Sequence, residues 1–343
     1  MKVLVTGGSG FIGSHTVVEL QQAGYDVVAI DNFENSSPQV VDNIKKITGK
    51  SFDFIQADIR DKQALNDVFV KHPDIKAVIH FAAYKAVGES VEKPLAYYEN
   101  NVGGTVNLVE AMQKNGVQHL VFSSSCTVYG DVTADALPIT ESSPVVKANS
   151  PYGNTKKICE ELLFDVSKSS ATKIVALRYF NPIGAHDSAL IGELPNGVPN
   201  NLIPFVTQTA IGMREKLTVF GNDYPTRDGS CIRDYIHVVD LAKAHVKAIE
   251  FLSNNKDQYS VFNIGTGNGN TVLEVVAAFE KVSGKKLNYV VGPRREGDVV
   301  QIFASCDKAT NVLGWKSERS LDNALETAWK WELHLQSLKT AKN

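Results

Sequence analysis

Short apolar runs alternate with stretches of helical periodicity through the first half of the chain. The runs at residues 2–6, 26–30, 52–57, 77–82, 119–123 and 173–177 predict six β-strands. Helical patterns lie between them, most clearly over residues 97–115 and 151–167, where Ser150 fits a helix cap and Pro151 fits a first helical turn. Short strands that alternate with helices indicate a doubly wound α/β fold, with a parallel sheet covered on both faces.

The pattern changes from about residue 181 onward. Prolines, glycines and asparagines become frequent, which indicates a smaller, loop-rich α/β domain. Residues 261–264 are apolar and predict a strand that returns to the first sheet, whereas Thr271 and Glu274 fit a capping box at the start of a further helix. The expected domains are residues 1–180, rejoined by a segment near 235–265, and residues 181–343.

Composition and charge narrow the function classes. Of the 343 residues, 43% are hydrophobic and 21% are charged, an ordinary mixture for a globular protein. The net charge of −3 comes without a basic run, so nucleic acid is not an expected partner. The sequence shows no secretory leader and no apolar run long enough for a membrane span, and we expect a cytoplasmic protein. Widely spaced cysteines predict free thiols, and scattered histidines predict no metal site.

A glycine-rich turn follows the first predicted strand. Gly7, Gly10 and Gly13 suit a tight turn, the approach of a pyrophosphate and close packing of a helix on a sheet. Asp31 ends the second strand, where a carboxylate can accept hydrogen bonds from ribose hydroxyls and would repel a 2′-phosphate. The turn therefore predicts a dinucleotide site that favours NAD over NADP, with Asp58 expected near the adenine. The alternative for Asp31 is a purely structural turn aspartate.

Tyr152 and Lys156 lie one turn apart on one face of a predicted helix. A free tyrosine has a pKa of about 10, and a buried ammonium nearby favours the phenolate, which makes a base near neutral pH. Three serines at residues 123–125 end the fifth strand, at the sheet edge where open α/β folds bind ligands. Beside a dinucleotide, this set predicts redox chemistry at an alcohol carbon. The alternative for the pair alone is an ordinary surface contact.

Six further blocks carry a resemblance to a known family. They are HFAAYKAVGES (80–90), SSSCTVYG (123–130), RYFNPIGAH (178–186), PNNL (199–202), RDYIHV (233–238) and PRREGD (293–298). With them, the glycine turn and the Tyr152–Lys156 pair, the chain resembles the extended short-chain dehydrogenase/reductase family. Within that family it is similar to the branch that inverts C4 of nucleotide-linked hexoses. The resemblance runs from Lys2 to about Trp315.

The resemblance implies an NAD-dependent isomerase that interconverts UDP-glucose and UDP-galactose by transient oxidation at C4, rotation of the keto-sugar and return of the hydride. It implies Tyr152 as the general base, Lys156 as its tuner and nicotinamide ribose anchor, and Ser125 as the partner of the sugar 4-oxygen. UDP-sugars are the implied substrates. A homodimer through the helices at 97–115 and 151–167 is the implied assembly.

The resemblance also implies two sets of ligand-binding residues. The cofactor-binding set is Gly7, Gly10, Phe11, Ile12, Gly13, Asp31, Asn32, Asn35, Ser36, Asp58, Ile59, Phe81, Ala82, Ala83, Lys85, Asn100, Ser123, Tyr152, Lys156 and Tyr179. The substrate-binding set is Lys85, Ser125, Tyr152, Asn181, Asn201, Leu202, Phe220, Arg233, Arg295, Asp298 and Ile302. In the second set the arginines would grip the diphosphate, and the phenylalanine would stack on uracil.

Four positions are notable against the family pattern. Ala83 and Tyr84 stand where the family often has glycine and leucine, and we expect the tyrosine to affect the nicotinamide pocket. Asn154 stands where a lysine is common, at a position expected to be exposed. Ile302 occupies the position that governs room for an N-acetyl group. Its intermediate size leaves activity on UDP-GlcNAc and UDP-GalNAc open.

Other functions are compatible with the same fold. Nucleotide-sugar dehydratases use an acid–base pair just after the serine, and Cys126 and Thr127 stand there instead. A reductase would release its cofactor in each turnover. A non-catalytic binding protein would tolerate loss of the tyrosine or the lysine, and both are present.

Overall fold

The computed structural model describes residues 1–295 and 298–340, and its elements follow the predicted alternation. The strands are β1 (Lys2–Thr6), β2 (Asp26–Asp31), β3 (Asp53–Gln56), β4 (Ile75–His80), β5 (His119–Ser123), β6 (Lys173–Tyr179), β7 (Asn181–Ile183), β8 (Leu217–Phe220), β9 (Ile232–His237), β10 (Tyr259–Ile264), β11 (Gly269–Thr271), β12 (Tyr289–Gly292) and β13 (Gln301–Ile302). The α-helices are α1 (Phe11–Gln22), α2 (Gln39–Thr48), α3 (Lys62–Lys71), α4 (Val87–Glu92), α5 (Pro94–Tyr97), α6 (Gly104–Lys114), α7 (Pro151–Ser169), α8 (Leu202–Ala210), α9 (Val238–Asn254), α10 (Val272–Ser283) and α11 (Leu321–Thr340).

The central sheet has seven parallel strands in the order β10-β6-β5-β4-β1-β2-β3. Its strands are apolar on both faces, as in β1, where Val3, Leu4 and Val5 are fully buried. Two apolar clusters, one including α1 and α9 and the other α3, α6 and α7, pack against it. The predicted doubly wound Rossmann fold is confirmed. Strand order reverses between β1 and β4, and ligands bind at such a switch point, outside the carboxyl ends of the strands.

A smaller α/β part of the chain follows β6. One small sheet has the order β11-β9-β13, with β7 paired to β9, and β12 pairs with β8. Helices α8, α10 and α11 share an apolar cluster that includes Val206, Phe279 and Trp329. By contrast, β10 pairs with β6 in the large sheet, and α9 packs against α1. The division of the chain at residue 180 stays a prediction.

Two predicted helix starts have the expected cap geometry. At α7, the Ser150 hydroxyl accepts a hydrogen bond from the Gly153 N–H at 3.1 Å, and Pro151 occupies the first turn. At α10, the Thr271 hydroxyl accepts from the Glu274 N–H at 3.0 Å, while the Glu274 carboxylate accepts from the Thr271 N–H at 2.9 Å. Both predictions are confirmed, because capping depends on residues a few positions apart.

The stretch predicted as one helix over residues 97–115 consists of three helical segments in the structure. Helix α5 ends at Tyr97, a π-helical turn covers Tyr98–Gly103, and α6 completes the stretch. The wider turn carries two buried amides, Asn100 and Asn101. Such turns are frequent near functional sites. The apolar periodicity used for the prediction does not distinguish a π-helical turn from an α-helical one.

Replacing Thr271 by alanine should lower the free energy of unfolding by about 1 kcal/mol, because it removes the side chain that caps α10. Thr271→Ser loses the same buried methyl group but keeps the hydroxyl, so it is the matched control and should be more stable than the alanine variant. Denaturant unfolding followed by circular dichroism measures both variants. Equal stability of the alanine and serine variants would show that the cap contributes nothing.

Candidate active site

Close backbone contacts shape the glycine turn between β1 and α1. Gly7 has a φ of +70°, and a Cβ there would lie 2.8 Å from the Ala82 nitrogen. A Cβ on Gly13 would lie 2.0 Å from the Gly7 oxygen. Gly10 is the N-cap of α1 and carries no side chain that could fill the end of the helix. The turn therefore brings helix N–H groups to a surface that a phosphate can reach.

Asp31 fastens this turn to the loop after β2. Its Oδ2 accepts a hydrogen bond from the Ser9 N–H at 3.2 Å. Its Oδ1 accepts from the Phe33 N–H and from the Ser36 hydroxyl, both at 2.9 Å. The carboxylate thus lies at the carboxyl end of β2 beside the glycine turn, where the ribose of a dinucleotide would meet it.

Asp58 follows β3 and lies near the same loop. It forms an ion pair with Arg60 at 2.6 Å and accepts a hydrogen bond from the Asn32 amide at 2.9 Å. The hydrogen bond from Arg60 is the main cause that lowers the pKa of Asp58 to about 2, so the carboxylate is ionised at neutral pH. Of the other residues predicted on this side, Ile59 is buried and Asn35 is exposed.

Tyr152 and Lys156 are both buried on α7. Burial raises the pKa of the Tyr152 phenol, and the Ser125 side chain lowers it in part. Burial also lowers the pKa of Lys156 to about 8, and its Nζ donates to the Ser123 carbonyl at 2.7 Å. Burial therefore disfavours the charged form of both groups. The predicted tuning of the phenol by the ammonium stays a prediction.

The serines after β5 present their hydroxyls to the same region. The Ser123 and Tyr179 hydroxyls are 2.7 Å apart, and burial raises the pKa of Tyr179 to about 12. The Ser125 hydroxyl oxygen accepts hydrogen bonds from the Thr127 N–H at 3.2 Å and the Thr127 hydroxyl at 3.0 Å. Both acceptor positions of Ser125 are thus occupied, and its one O–H donor is left for the phenol or a substrate oxygen.

A buried ion pair supports these serines, and sequence reasoning missed it. Glu160 lies one turn after Lys156 on α7, and Arg178 Nε donates to its Oε1 at 2.9 Å. The Ser124 hydroxyl donates to the same carboxylate, and Arg178 Nη1 donates to Tyr129 Oη at 3.0 Å. The pair therefore fixes the end of β5 against the helix that carries Tyr152. The available signal was an acidic residue four positions after Lys156, on the buried face of the helix.

Two arginines, an aspartate and an aromatic ring meet in the smaller part of the chain. Asp298 Oδ1 lies 2.7 Å from Arg295 Nη2 and 3.5 Å from Arg233 Nη2. The Arg295 guanidinium lies over the Phe220 ring, 5.5 Å from its centroid, and that ring is 41% exposed. The structure brings these four predicted residues together. Two guanidinium groups beside an accessible aromatic face can hold a diphosphate and a nucleobase.

Glu193, which sequence reasoning also missed, joins two predicted ligand-binding residues. Its Oε1 accepts hydrogen bonds from Lys85 Nζ at 2.8 Å and from Asn201 Nδ2 at 2.6 Å. Its backbone carbonyl accepts from Trp331 Nε1 at 2.9 Å. Lys85 follows β4 and Asn201 is the residue just before α8, so one carboxylate links the large sheet to the smaller part of the chain. A glutamate in a loop carries no periodic signal that would reveal this role.

The remaining predicted residues lie on the same elements. Phe11 and Ile12 form the first turn of α1, Ala82 and Ala83 follow β4, Phe81 packs against His245, Asn100 is buried in the π-helical turn, Asn181 begins β7, Leu202 begins α8, and Ile302 is buried on β13. Their meeting at one ligand site stays a prediction.

Two side chains have partners that sequence reasoning missed, and the second is less exposed than expected. The Tyr84 hydroxyl donates to Glu34 in the loop after β2, so it lies near the Asp31 side of the site. Its effect on the nicotinamide pocket stays a prediction. Asn154 is half-buried, and its amide donates to Tyr98 Oη at 2.6 Å, because α7 packs against the π-helical turn. Sequence spacing places each residue on its element, but the partner comes from a remote segment.

Other kinds of site receive no support within residues 1–295 and 298–340. In that part of the chain, His, Cys, Asp and Glu side chains nowhere gather in threes around a point that could hold a metal ion. None of the helices described is both long and apolar enough to cross a membrane. All four cysteines are free thiols.

Comparison with known proteins gives consistent matches. The family model described as GDP-mannose 4,6 dehydratase matches residues 4–328. The UDP-glucose 4-epimerase of Bacillus subtilis (strain 168) is 52% identical over 333 residues, which is 97% of each chain. The UDP-glucose 4-epimerase from Stenotrophomonas maltophila, solved with NAD and formylated UDP-arabinopyranose, is 47% identical with a TM-score of 0.95 over 98% of this chain and 99% of that one. The enzyme from Bifidobacterium longum, solved with NAD+ and UDP, is 46% identical with a TM-score of 0.93 over 97% and 98%.

Replacing Glu160 by glutamine should lower the free energy of unfolding by about 3 kcal/mol, because it leaves the buried Arg178 without its counter-charge. The matched control is Asp322→Asn, which breaks the exposed pair with Lys281 and should cost less than about 1 kcal/mol. Denaturant unfolding of both variants measures the difference. Similar losses in the two variants would contradict a supporting role for the buried pair.

Proposed function

Because the chain belongs to the UDP-glucose 4-epimerases of the extended short-chain dehydrogenase/reductase family, we propose that it interconverts UDP-glucose and UDP-galactose and uses NAD as its cofactor. The observation that carries this proposal is the presence of three groups whose chemistry suits NAD, the sugar hydroxyl and UDP. They are the glycine turn with Asp31, the buried Tyr152 beside Ser125, and the arginine pair near Phe220.

The groove over β1 fits a dinucleotide. Side chains at Gly7 and Gly13 would collide with backbone atoms, so this tight turn requires glycine at both positions. A turn without side chains lets a pyrophosphate approach the backbone closely. Asp31 suits ribose hydroxyls, and its negative charge disfavours a 2′-phosphate. The chemistry that NAD supplies when bound is reversible acceptance of a hydride from C4 of the hexose. In this proposal Lys156 would anchor the nicotinamide ribose, and Tyr179 and Ser123 would line that end.

The UDP moiety would be held by side chains of the smaller part of the chain. Arg233 and Arg295 neutralise the diphosphate, Phe220 stacks on uracil, and Asp298 accepts ribose hydroxyls. Asp298 already orients both arginines, so the grip is organised before the ligand arrives. Because binding depends mainly on UDP, the hexose can turn over while its tether stays in place.

Tyr152 takes the proton of the 4-hydroxyl and later returns it. Ser125 keeps the sugar oxygen in line through its one free donor. Burial is the main cause that raises the pKa of Tyr152, so positive charge nearby is needed to favour the phenolate. Lys156 has a pKa lowered to about 8 and is therefore mostly charged at neutral pH. It loses that charge as the pH rises through 8.

The second candidate function is that of a dehydratase, the enzyme class named in the description of the matching family model. It would need a general acid and base just after Ser125. Cys126 stands there, buried, and burial raises the pKa of its thiol to about 12, so it is a neutral thiol at working pH. Thr127 is engaged with Ser125. These side chains favour the epimerase over elimination of water.

Assembly and location follow as further proposals. The chain forms a homodimer, supported by apolar side chains exposed on α4, α5 and α7, among them Val91, Leu95 and Phe164. It works in the cytoplasm, supported by its free thiols. Residues 1–180, with α9 and β10, form the cofactor domain, and the rest forms the substrate domain.

Incubation with UDP-galactose and no added oxidant or reductant should yield UDP-glucose. Tyr152→Phe should lower the turnover number by about 10²- to 10⁴-fold, because it removes the group that moves the proton, while bound NAD stays unchanged. Tyr289→Phe, at an exposed tyrosine of β12, is the control and should keep full turnover. Near-normal turnover by the Tyr152 variant would remove it from the base role, and loss of water from the sugar would identify a dehydratase.

Ile302→Ala should raise the kcat/KM for UDP-GlcNAc relative to that for UDP-glucose by about tenfold, since removing part of a pocket wall is worth about 1–3 kcal/mol. Val299→Ala trims a neighbour in the same apolar cluster and should leave the ratio unchanged. Steady-state kinetics with both sugars measure the ratio. A ratio that rises equally in both variants would point to general loosening and not to an N-acetyl gate.

A further inference from the structure

Tyr84 connects two loops that lie on opposite sides of the glycine turn. It follows β4, and its hydroxyl lies 2.8 Å and 2.9 Å from the two carboxylate oxygens of Glu34 in the loop after β2. In the sheet, β1 lies between β4 and β2. The contact therefore spans the carboxyl end of β1, directly where Gly7 begins the glycine turn.

A third loop joins at the same point. Arg60, which follows β3, donates from Nη1 to Tyr84 Oη at 3.3 Å, and its Nη2 lies 3.5 Å from Glu34 Oε2. Asp58 holds this guanidinium through Nε at 2.9 Å and Nη2 at 2.6 Å. Loops from three strands thus converge on one phenolic oxygen.

The two ends of this bridge differ in how firmly they are held. The Tyr84 backbone exchanges hydrogen bonds with the Asn101 amide at 2.8 Å and 3.0 Å, and Asn101 also donates to Thr155 on α7 at 3.0 Å. The ring centroids of Tyr84 and Tyr97 lie 5.4 Å apart. Glu34, in contrast, has a side chain that is 46% exposed. The Tyr84 end is therefore the anchored one.

The phenol is a donor throughout the working range of pH. Burial, together with the hydrogen bond to Glu34, raises the pKa of Tyr84 to about 12. The carboxylate accepts a charge-assisted hydrogen bond, which is stronger than one between neutral groups. The Glu34 loop is also held from the smaller part of the chain, because the Asn196 amide donates to the Glu34 carbonyl at 3.1 Å.

We propose that Tyr84 and Glu34 form a latch that closes the dinucleotide groove over the glycine turn and slows release of the cofactor. This inference rests on the proposed binding of NAD in that groove. A dinucleotide that runs from Asp31 to Tyr152 has to pass the bridge, and its release requires the bridge to open. The latch adds to the residence time of the cofactor without touching the reacting atoms.

The rate of NAD exchange tests the latch directly. Holoenzyme is mixed with excess isotopically labelled NAD, with no sugar present, and incorporation of label into the protein is followed. Tyr84→Phe, which removes one oxygen, and Glu34→Ala should each speed exchange by about fivefold to tenfold, the effect of losing one hydrogen bond to a charged group that is partly exposed. The double variant should exchange no faster than Glu34→Ala, because that change already removes the contact with Tyr84 and the pair with Arg60.

Tyr98→Phe is the matched control. Its hydroxyl is also half-buried and accepts a hydrogen bond from an amide, that of Asn154, but it does not cross the groove. It should exchange NAD at the parent rate. The latch is overturned if Tyr84→Phe exchanges at the parent rate, or if the effects of the two single variants multiply. Epimerase turnover is measured separately, so a parent protein that binds NAD without epimerising UDP-galactose would refute the proposed activity and still allow the latch to be tested.

Discussion

The buried pair between Glu160 and Arg178 is the interaction on which the rest of the site depends. Glu160 lies on the helix that carries Tyr152 and Lys156, and its carboxylate accepts hydrogen bonds from Arg178 and from the Ser124 hydroxyl just after β5. Burying two charges costs desolvation energy that their attraction only partly offsets, so the pair is a weak source of net stability. Its contribution is positional. The segment after β5 is hydrogen-bonded to a carboxylate that α7 carries, so the strand end and the helix cannot slide past each other.

Opposed electrostatic demands then define the catalytic region. Burial holds the phenol of Tyr152 neutral and eases deprotonation of Lys156. A phenolate base is consequently favoured only when enough positive charge gathers around it. Ser125 contributes a local part of that stabilisation, since it already lowers the pKa of the phenol. In the proposed mechanism, Tyr152 would therefore ionise only after charged ligands have bound.

Carboxylates also organise the groups proposed to bind ligands. Asp298 orients two guanidinium groups, and Glu193 holds Lys85 and Asn201, which come from different parts of the chain. Each anion fixes cationic or amide groups that would otherwise be flexible, and preorganised groups lose less freedom when a ligand binds. The Tyr84–Glu34 contact extends the same device to the groove over β1.

The sequence by itself determined the features that depend on near neighbours in the chain. Strand and helix order, the glycine turn, the cap at Ser150 and the Tyr152–Lys156 spacing all follow from periodicity or from residues within one turn. Only the tertiary structure decided which polar groups meet across loops, as Glu160 with Arg178, or Tyr84 with Glu34. Contacts of that kind have no sequence period, because their partners are brought together by the strand order of the sheet and not by distance along the chain.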